Sequence, residues 1–329
     1  MRVLIIGAAG MVGRKLLDKI ALEPAILGSE VTALTLVDVI EPTAPAALAS
    51  IATCKALDLS TSGAADELIA DRPDMIYNLA AVVSGEAEAD FDKGYRVNLD
   101  GGRALLDAIR AEGLKEPYRP RFIFASSVAV FGAPFPEKIG DEFFTTPLTS
   151  YGTQKAIIEL LIADYSRRGI FDGISIRLPT ICVRPGKPNA AASGFFSNII
   201  REPLVGLEAV LPVDESVRHW FASPRAAVGF FTHAATLDLE QVGPRRSLMM
   251  PGLSVTVAEQ IAALEKIAGP KAVALIRNEP DHVIKEIVDG WSRDFAPKRA
   301  IALGFTAESD FEEIIRIHIE DELDGKIGV

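Results

Sequence analysis

The feature that most limits what this chain can become is its opening. A short apolar run, Arg2–Ile6, ends on Gly7-Ala-Ala-Gly10-Met11-Val12-Gly13. So compact a run reads as a strand buried on both faces. Behind it, apolar residues return every three or four positions from Met11 to Leu22, which reads as a helix. Glycine is needed where a strand turns tightly into a helix, where backbone nears a pyrophosphate, and where helix packs closely on strand. The helix N-terminus then offers unpaired N–H groups and the positive end of its dipole to phosphates. Gly7, Gly10, Met11, Val12 and Gly13 are therefore candidate dinucleotide-binding residues, although glycine spacing alone marks no more than a tight turn.

The alternation continues along the first half. Val31–Val37, Met75–Leu79, Arg121–Ala125 and Gly173–Leu178 are compact apolar runs, separated by helical patterns such as Val97–Glu112. This predicts an α/β chain with a Rossmann-type doubly wound parallel sheet and right-handed crossovers, occupying residues 1–180. Past Ile181 the texture changes, because Arg184-Pro-Gly-Lys187-Pro-Asn189 is rich in helix and strand breakers. Residues 181–329 read mainly as a smaller C-terminal substrate-binding lobe, with segments free to return to the sheet. Two helices there are announced by capping boxes, Thr256-x-x-Glu259 and Ser309-x-x-Glu312.

Charge narrows the partners. A net charge of −11 over 329 residues argues against nucleic acid, which demands clustered Lys and Arg, and against an anionic membrane surface. No uncharged apolar stretch is long enough to span a bilayer, and the N-terminal run is too short for a signal peptide. The only two cysteines, Cys54 and Cys182, read as buried thiols in a reducing cytoplasm. No Cys or His cluster has metal-ligand spacing, so no metal is expected.

Further residues fit a nicotinamide dinucleotide. Asp38 ends the second strand, where a carboxylate accepts both hydroxyls of the adenosine ribose and repels a 2′-phosphate, so NAD is expected over NADP. Asp58 and Leu59 follow the third strand on the adenine side, and Leu79, Ala80 and Ala81 leave the fourth where the dinucleotide crosses the sheet. Ser126 and Ser127 end the fifth strand. Ser150-Tyr151-Gly-Thr-Gln-Lys155 then opens an apolar helix that puts Tyr151 and Lys155 on one face. A phenol with pKa about 10 is a poor base at neutral pH. A nearby ammonium and an oxidised nicotinamide both favour phenolate, while a serine hydroxyl holds the reacting alcohol.

The GxxGxxG spacing, the Ser-Ser strand end and the Tyr151/Lys155 pair together resemble the extended short-chain dehydrogenase/reductase family, which includes nucleotide-sugar epimerases. By that resemblance Ser127, Tyr151 and Lys155 are catalytic, Ser126 is their neighbour, Arg177-Leu-Pro179-Thr180 meets the nicotinamide half, and Asn98 lies by the cofactor. Longer segments, among them 82–91, 184–193, 200–204, 253–257 and 319–323, resemble the D-erythronate dehydrogenase family over nearly the whole chain. That resemblance implies NAD-dependent oxidation of the C2 hydroxyl of a small sugar acid, D-erythronate to 2-dehydro-D-erythronate.

An acid substrate needs a cation, and Arg184 is the candidate, with Ser84, Ser126, Ser127, Tyr151 and Asn189 as further substrate residues. Lys187 and Ser193 share the Arg184 loop, and Arg218-His219-Trp220 would close over the substrate. The alternatives are a nucleotide-sugar epimerase or dehydratase on the same fold and a non-catalytic NAD-sensing protein. After the sixth strand, Phe195-Phe196 is the aromatic pair suited to stack a base, and the second alternative commonly lacks the Tyr or Lys present here. Family members often form homodimers through the helix over Tyr151–Tyr165. Pattern alone does not divide Ile157, Ile158, Leu161 and Ile162 between core and interface.

Overall fold

The structure, a computed structural model, describes residues 1–186 and 192–328. Lys187 and Asn189 therefore lie outside the described residues. Seven strands form the main sheet: β1 (Arg2–Ile6), β2 (Ala33–Asp38), β3 (Ala52–Ala56), β4 (Met75–Asn78), β5 (Arg121–Ser127), β6 (Asp172–Leu178) and β7 (Ser247–Met249). Their order is β3-β2-β1-β4-β5-β6-β7, and every pairing is parallel. The order reverses between β1 and β4, the crevice where doubly wound sheets bind dinucleotides. The helices Met11–Leu22 (α1), Ala64–Ala70 (α2), Gly102–Lys115 (α3) and Ser150–Arg167 (α4) are among the crossovers. Leu4, Ile6, Leu68, Leu105, Phe122, Phe124 and Ile158 share one buried cluster, which is why the middles of β1, β4 and β5 are apolar.

The chain divides into two compact units, neither continuous in sequence. The first holds Met1–Val130, Pro147–Leu178 and Val228–Met249; the second holds Phe131–Thr146, Pro179–Ala227 and Met250–Val329. The chain leaves the first unit after Val130 and again after Leu178. Phe131–Thr146 joins the second unit, and β7 returns to the first as a seventh sheet strand. The second unit has a three-stranded sheet, Thr180–Ile181, Arg218–Ala222 and Leu253–Thr256, and helices that include Gly194–Leu204, Val257–Ala268 and Phe311–Glu322. Its core centres on Phe196, Ile199, Phe221, Leu264 and Ile315.

Two local departures have physical causes. The expected single helix over Val97–Glu112 begins as a π-helical turn, Tyr95–Gly101, which buries Asn98 before α3 starts at Gly102. The capping box at Thr256/Glu259 forms in full. The second box is displaced by one residue: Asp310 caps the helix through Glu313 N–H, and Glu313 accepts from Ser309 instead of Glu312 doing so. Aspartate caps at least as well as serine, so the register follows Asp310.

Candidate active site

The cofactor end is shaped first by backbone. Gly7 has φ +89°, and a Cβ there would sit 2.7 Å from Ala80 N. A Cβ on Gly13 would sit 2.3 Å from Gly7 O. Neither site admits a side chain, so the turn closes only with glycine. Gly10 is the N-cap of α1, which has no side-chain cap and no acid in its first turn. Its first N–H groups are left for a phosphate. Asp38 accepts from Ala9 N (3.0 Å) and Val39 N (2.8 Å), which fixes the carboxylate beside this turn. Asp58 accepts from Ser60 N and Oγ, and the Ser60 hydroxyl holds its carboxyl below the usual range. Leu59 and Ser60 line a cavity of about 260 Å³ with Asp100 and Gly101. Leu79, Ala80 and Ala81 follow β4, with Leu79 N donating to Ile6 O. Asn98 takes no free position: its Oδ1 accepts from Val82 N (2.8 Å), and its Nδ2 donates to Val82 O (2.9 Å) and Gln154 Oε1 (2.7 Å). It clamps the segment after β4 to the helix that carries Tyr151.

The reaction centre is built where β5 meets α4. Thr149 caps α4 by accepting from Gly152 N, so the helix starts with Tyr151 in its first turn. Burial pushes the Tyr151 phenol up to about 12, against the opposing pull of the nearby Ser127 hydroxyl. Lys155 is 2% exposed. Its Nζ donates to Ala125 O (2.8 Å), 4.6 Å from the Phe124 ring centroid and 5.5 Å from that of Tyr151. Burial drives its pKa down to about 7, against the pull of the Glu159 carboxylate.

Successive strand residues face opposite sides, and Ser126 Oγ donates to Glu159 (2.5 Å) with only 2% of its surface exposed. Its hydroxyl proton is committed to a buried carboxylate. In the neighbouring strand Arg177 pairs in register with Ser126 and donates to both Glu159 oxygens, at 2.6–3.1 Å. Sequence reasoning passed over Glu159, yet a signal existed. Tyr151, Lys155 and Glu159 recur every four residues on a helix whose same face is otherwise apolar.

These groups fit a nicotinamide dinucleotide: a glycine cradle, a ribose carboxylate, and a phenol with its serine and lysine. The model of the NAD-dependent epimerase/dehydratase family matches residues 3–224. The chain belongs to that family. Its cofactor is accordingly NAD. Within the family it is 45% identical to D-erythronate dehydrogenase of Cupriavidus necator, over 98% of both chains. It is 41% identical to D-erythronate dehydrogenase of Haemophilus influenzae, over 98% of this chain and 100% of the relative. A solved structure named as a nucleoside-diphosphate-sugar epimerase, from Agrobacterium tumefaciens, superposes with a TM-score of 0.97 at 65% identity, over 99% of this chain and 95% of that one.

Members of an epimerase/dehydratase family differ in what the rest of the chain holds, and here the second unit is informative. Arg184 donates through Nη2 to Ser193 Oγ (2.7 Å), while its own N–H donates to Ser197 Oγ. Among the described residues no carboxylate lies within ion-pair reach of its guanidinium, and burial pushes its pKa down. Arg201, also a neighbour in charge, is by contrast paired with Glu202 (2.6 Å). His219 is a filled core histidine, 3% exposed. Its Nδ1 donates to Ser292 O (3.1 Å), which leaves Nε2 to accept from Thr180 Oγ1 (2.7 Å). Arg218 is bonded to Ser254 O and Glu259, and Trp220 Nε1 to Met250 O. The expectation that this tripeptide closes over a substrate is therefore replaced by a structural role. Ser84 begins the short helix Ser84–Ala89, and Pro179 follows β6 directly. In α4, Ile158 and Ile162 are fully buried while Leu160 is 67% exposed, which assigns the first two to the core.

Proposed function

We propose that the protein oxidises the C2 hydroxyl of a small sugar acid, D-erythronate to 2-dehydro-D-erythronate, and that Arg184 holds the substrate carboxylate. The observation that carries this reading is the half-buried Arg184 guanidinium without a carboxylate partner among the described residues. A buried charge is stable only when paired, and the planar fork of arginine suits a carboxylate in two-point contact. The names of the two relatives that match over nearly full length agree with it.

NAD, when bound, would supply the hydride acceptor for C2. The chain's own part is to take the hydroxyl proton and hold the alcohol. Ser127 Oγ orients the hydroxyl toward Tyr151 Oη, which receives the proton. The Lys155 ammonium stabilises the phenolate that the resting phenol, near 12, would otherwise form too rarely. Ser84 and Asn189 belong to the same proposal as substrate contacts, and Pro179 as a nicotinamide contact. The two unpaired thiols, Cys54 and Cys182, suit a cytoplasmic setting. Pairing of two copies through the face of α4 that exposes Leu160 completes the reading, and sedimentation tests it.

A second reading, epimerisation of a nucleotide sugar, is favoured by the name of the 65% identical structure. Against it, Phe195 and Phe196, the candidate base-stacking pair, are 5% and 0% exposed in the core of the second unit. The experiment is a panel of free sugar acids and nucleotide sugars with NAD, following NADH. Net NADH from erythronate alone upholds the dehydrogenase. Interconversion of a nucleotide sugar without net NADH overturns it.

A further inference from the structure

The buried carboxylate of Glu159 is a charged group of the reaction centre that the chemistry above leaves unused. It lies one helical turn beyond Lys155, 3% exposed, on the same face of α4. We propose that Glu159, clamped by Arg177 and Ser126, is a positioning residue whose negative charge keeps the Lys155 side chain an ammonium in its water-free site.

Three observations carry this. Lys155 has no carboxylate in ion-pair contact among the described residues; its Nζ rests on the Ala125 carbonyl and the Phe124 ring. Glu159 is held rigidly, by two nitrogens of Arg177 and the Ser126 hydroxyl. Desolvation and Glu159 pull the lysine in opposite directions, and Glu159 is the charge that opposes loss of its proton. The other elements packed on α4 offer nothing equivalent. The π-turn brings neutral Asn98 to Gln154, Glu88 bonds Ser150 N at the helix start, and Asp107 bonds Tyr165 Oη near its end. Arg177 anchors the carboxylate from the neighbouring strand. A neutral lysine would neither stabilise the Tyr151 phenolate nor favour its formation.

The inference deepens the proposed oxidation, and its test does not depend on it. Lysine side chains are isotope-labelled in the full-length protein, and the Lys155 resonance, assigned with Lys155→Met, is titrated by NMR with no substrate present. Glu159→Gln, nearly the same shape, should lower the Lys155 midpoint by about 1–3 pH units. Glu159→Asp, which keeps the charge on a shorter stem, should hold it close to wild type. Because an unpaired Arg177 threatens folding, the double variant Glu159→Gln with Arg177→Met carries the same test with both charges gone, and its midpoint should also fall. An unmoved midpoint in Glu159→Gln, or in the double variant where the single one does not fold, overturns the proposal. In turnover, the alkaline limb of the NADH-forming rate should move down with the midpoint, while a purely structural role would lower the rate evenly across pH. Moved midpoints with no turnover of any sugar acid by wild type would refute the proposed oxidation and leave the role of Glu159 standing.

Discussion

Lys155 in the first unit and His219 in the second are both buried cations by type, and both are driven toward neutrality by loss of water. They end in different states. His219 has a partner on each ring nitrogen and stacks on Phe196, with ring planes 2° apart and centroids at 5.3 Å. With its pKa pushed down to about 4, it is a neutral strut with no hydrogen-bonding capacity left. Lys155 is pushed only to about 7, and Ala125 O takes just one of its three donors. It lies 5.5 Å from the ring centroid of the Tyr151 phenol. Burial and a shifted pKa are common to both groups. What separates reactive from structural is unspent valence next to another titratable group.

The sharpest way to break that contrast is at Tyr151. Tyr151→Phe keeps the ring and removes the proton carrier, so turnover should fall about 10²- to 10⁴-fold with NAD affinity, by fluorescence titration, little changed. A Phe variant with near-normal turnover would remove Tyr151 from the chemistry.

Arg184 extends the comparison, since it shares the second unit with His219 but, among the described residues, spends its guanidinium on Ser193 alone. Losing one partner of a buried charge pair costs about 2–5 kcal/mol, roughly thirty- to several-thousand-fold. Arg184→Ala should lower kcat/KM for erythronate by that much and leave NAD binding intact. Unaltered kinetics would send the carboxylate elsewhere, with Lys187 next in line.

His219 should answer in stability rather than rate. Its folded pKa lies below the unfolded 6.5, so the unfolded chain binds the extra proton. The contribution is complete above about 6.5 and is lost as pH falls through 6.5 toward 4, on the order of 3 kcal/mol in all. His219→Gln cannot titrate, and denaturant melts across that window should show a flatter acid slope than wild type. Turnover of the folded variant at neutral pH should stay within a few-fold. A collapse of turnover to the Tyr151→Phe level would erase the distinction.

The smallest effect is expected at Asp38. Asp38→Ala removes the like charge that a 2′-phosphate would meet and should narrow the NAD-over-NADP preference on the order of tenfold, about 1.4 kcal/mol. Equal use of both cofactors by wild type would contradict the placement of Asp38 at the ribose.

Sequence alone determined whatever depends on local geometry. Glycine at positions 7 and 13 follows from a turn that tolerates no Cβ, and the alternation of apolar runs with helical periods dictates a parallel doubly wound sheet. The spacing of Tyr151 and Lys155 places them on one helix face whatever surrounds them. Period two likewise requires Ser126 and Ser127 to point apart. Which of them turns toward Tyr151, and which toward a carboxylate 33 residues away, is decided only when α4 packs on β5. The same holds for Arg177 meeting Glu159, for Asn98 bridging Val82 and Gln154, and for His219 being filled by Thr180 and Ser292. Those partners are distant along the chain and no periodicity links them. A polar group removed from water must bond to whatever packing brings within reach, and that is a property of the folded chain rather than of any stretch of its sequence.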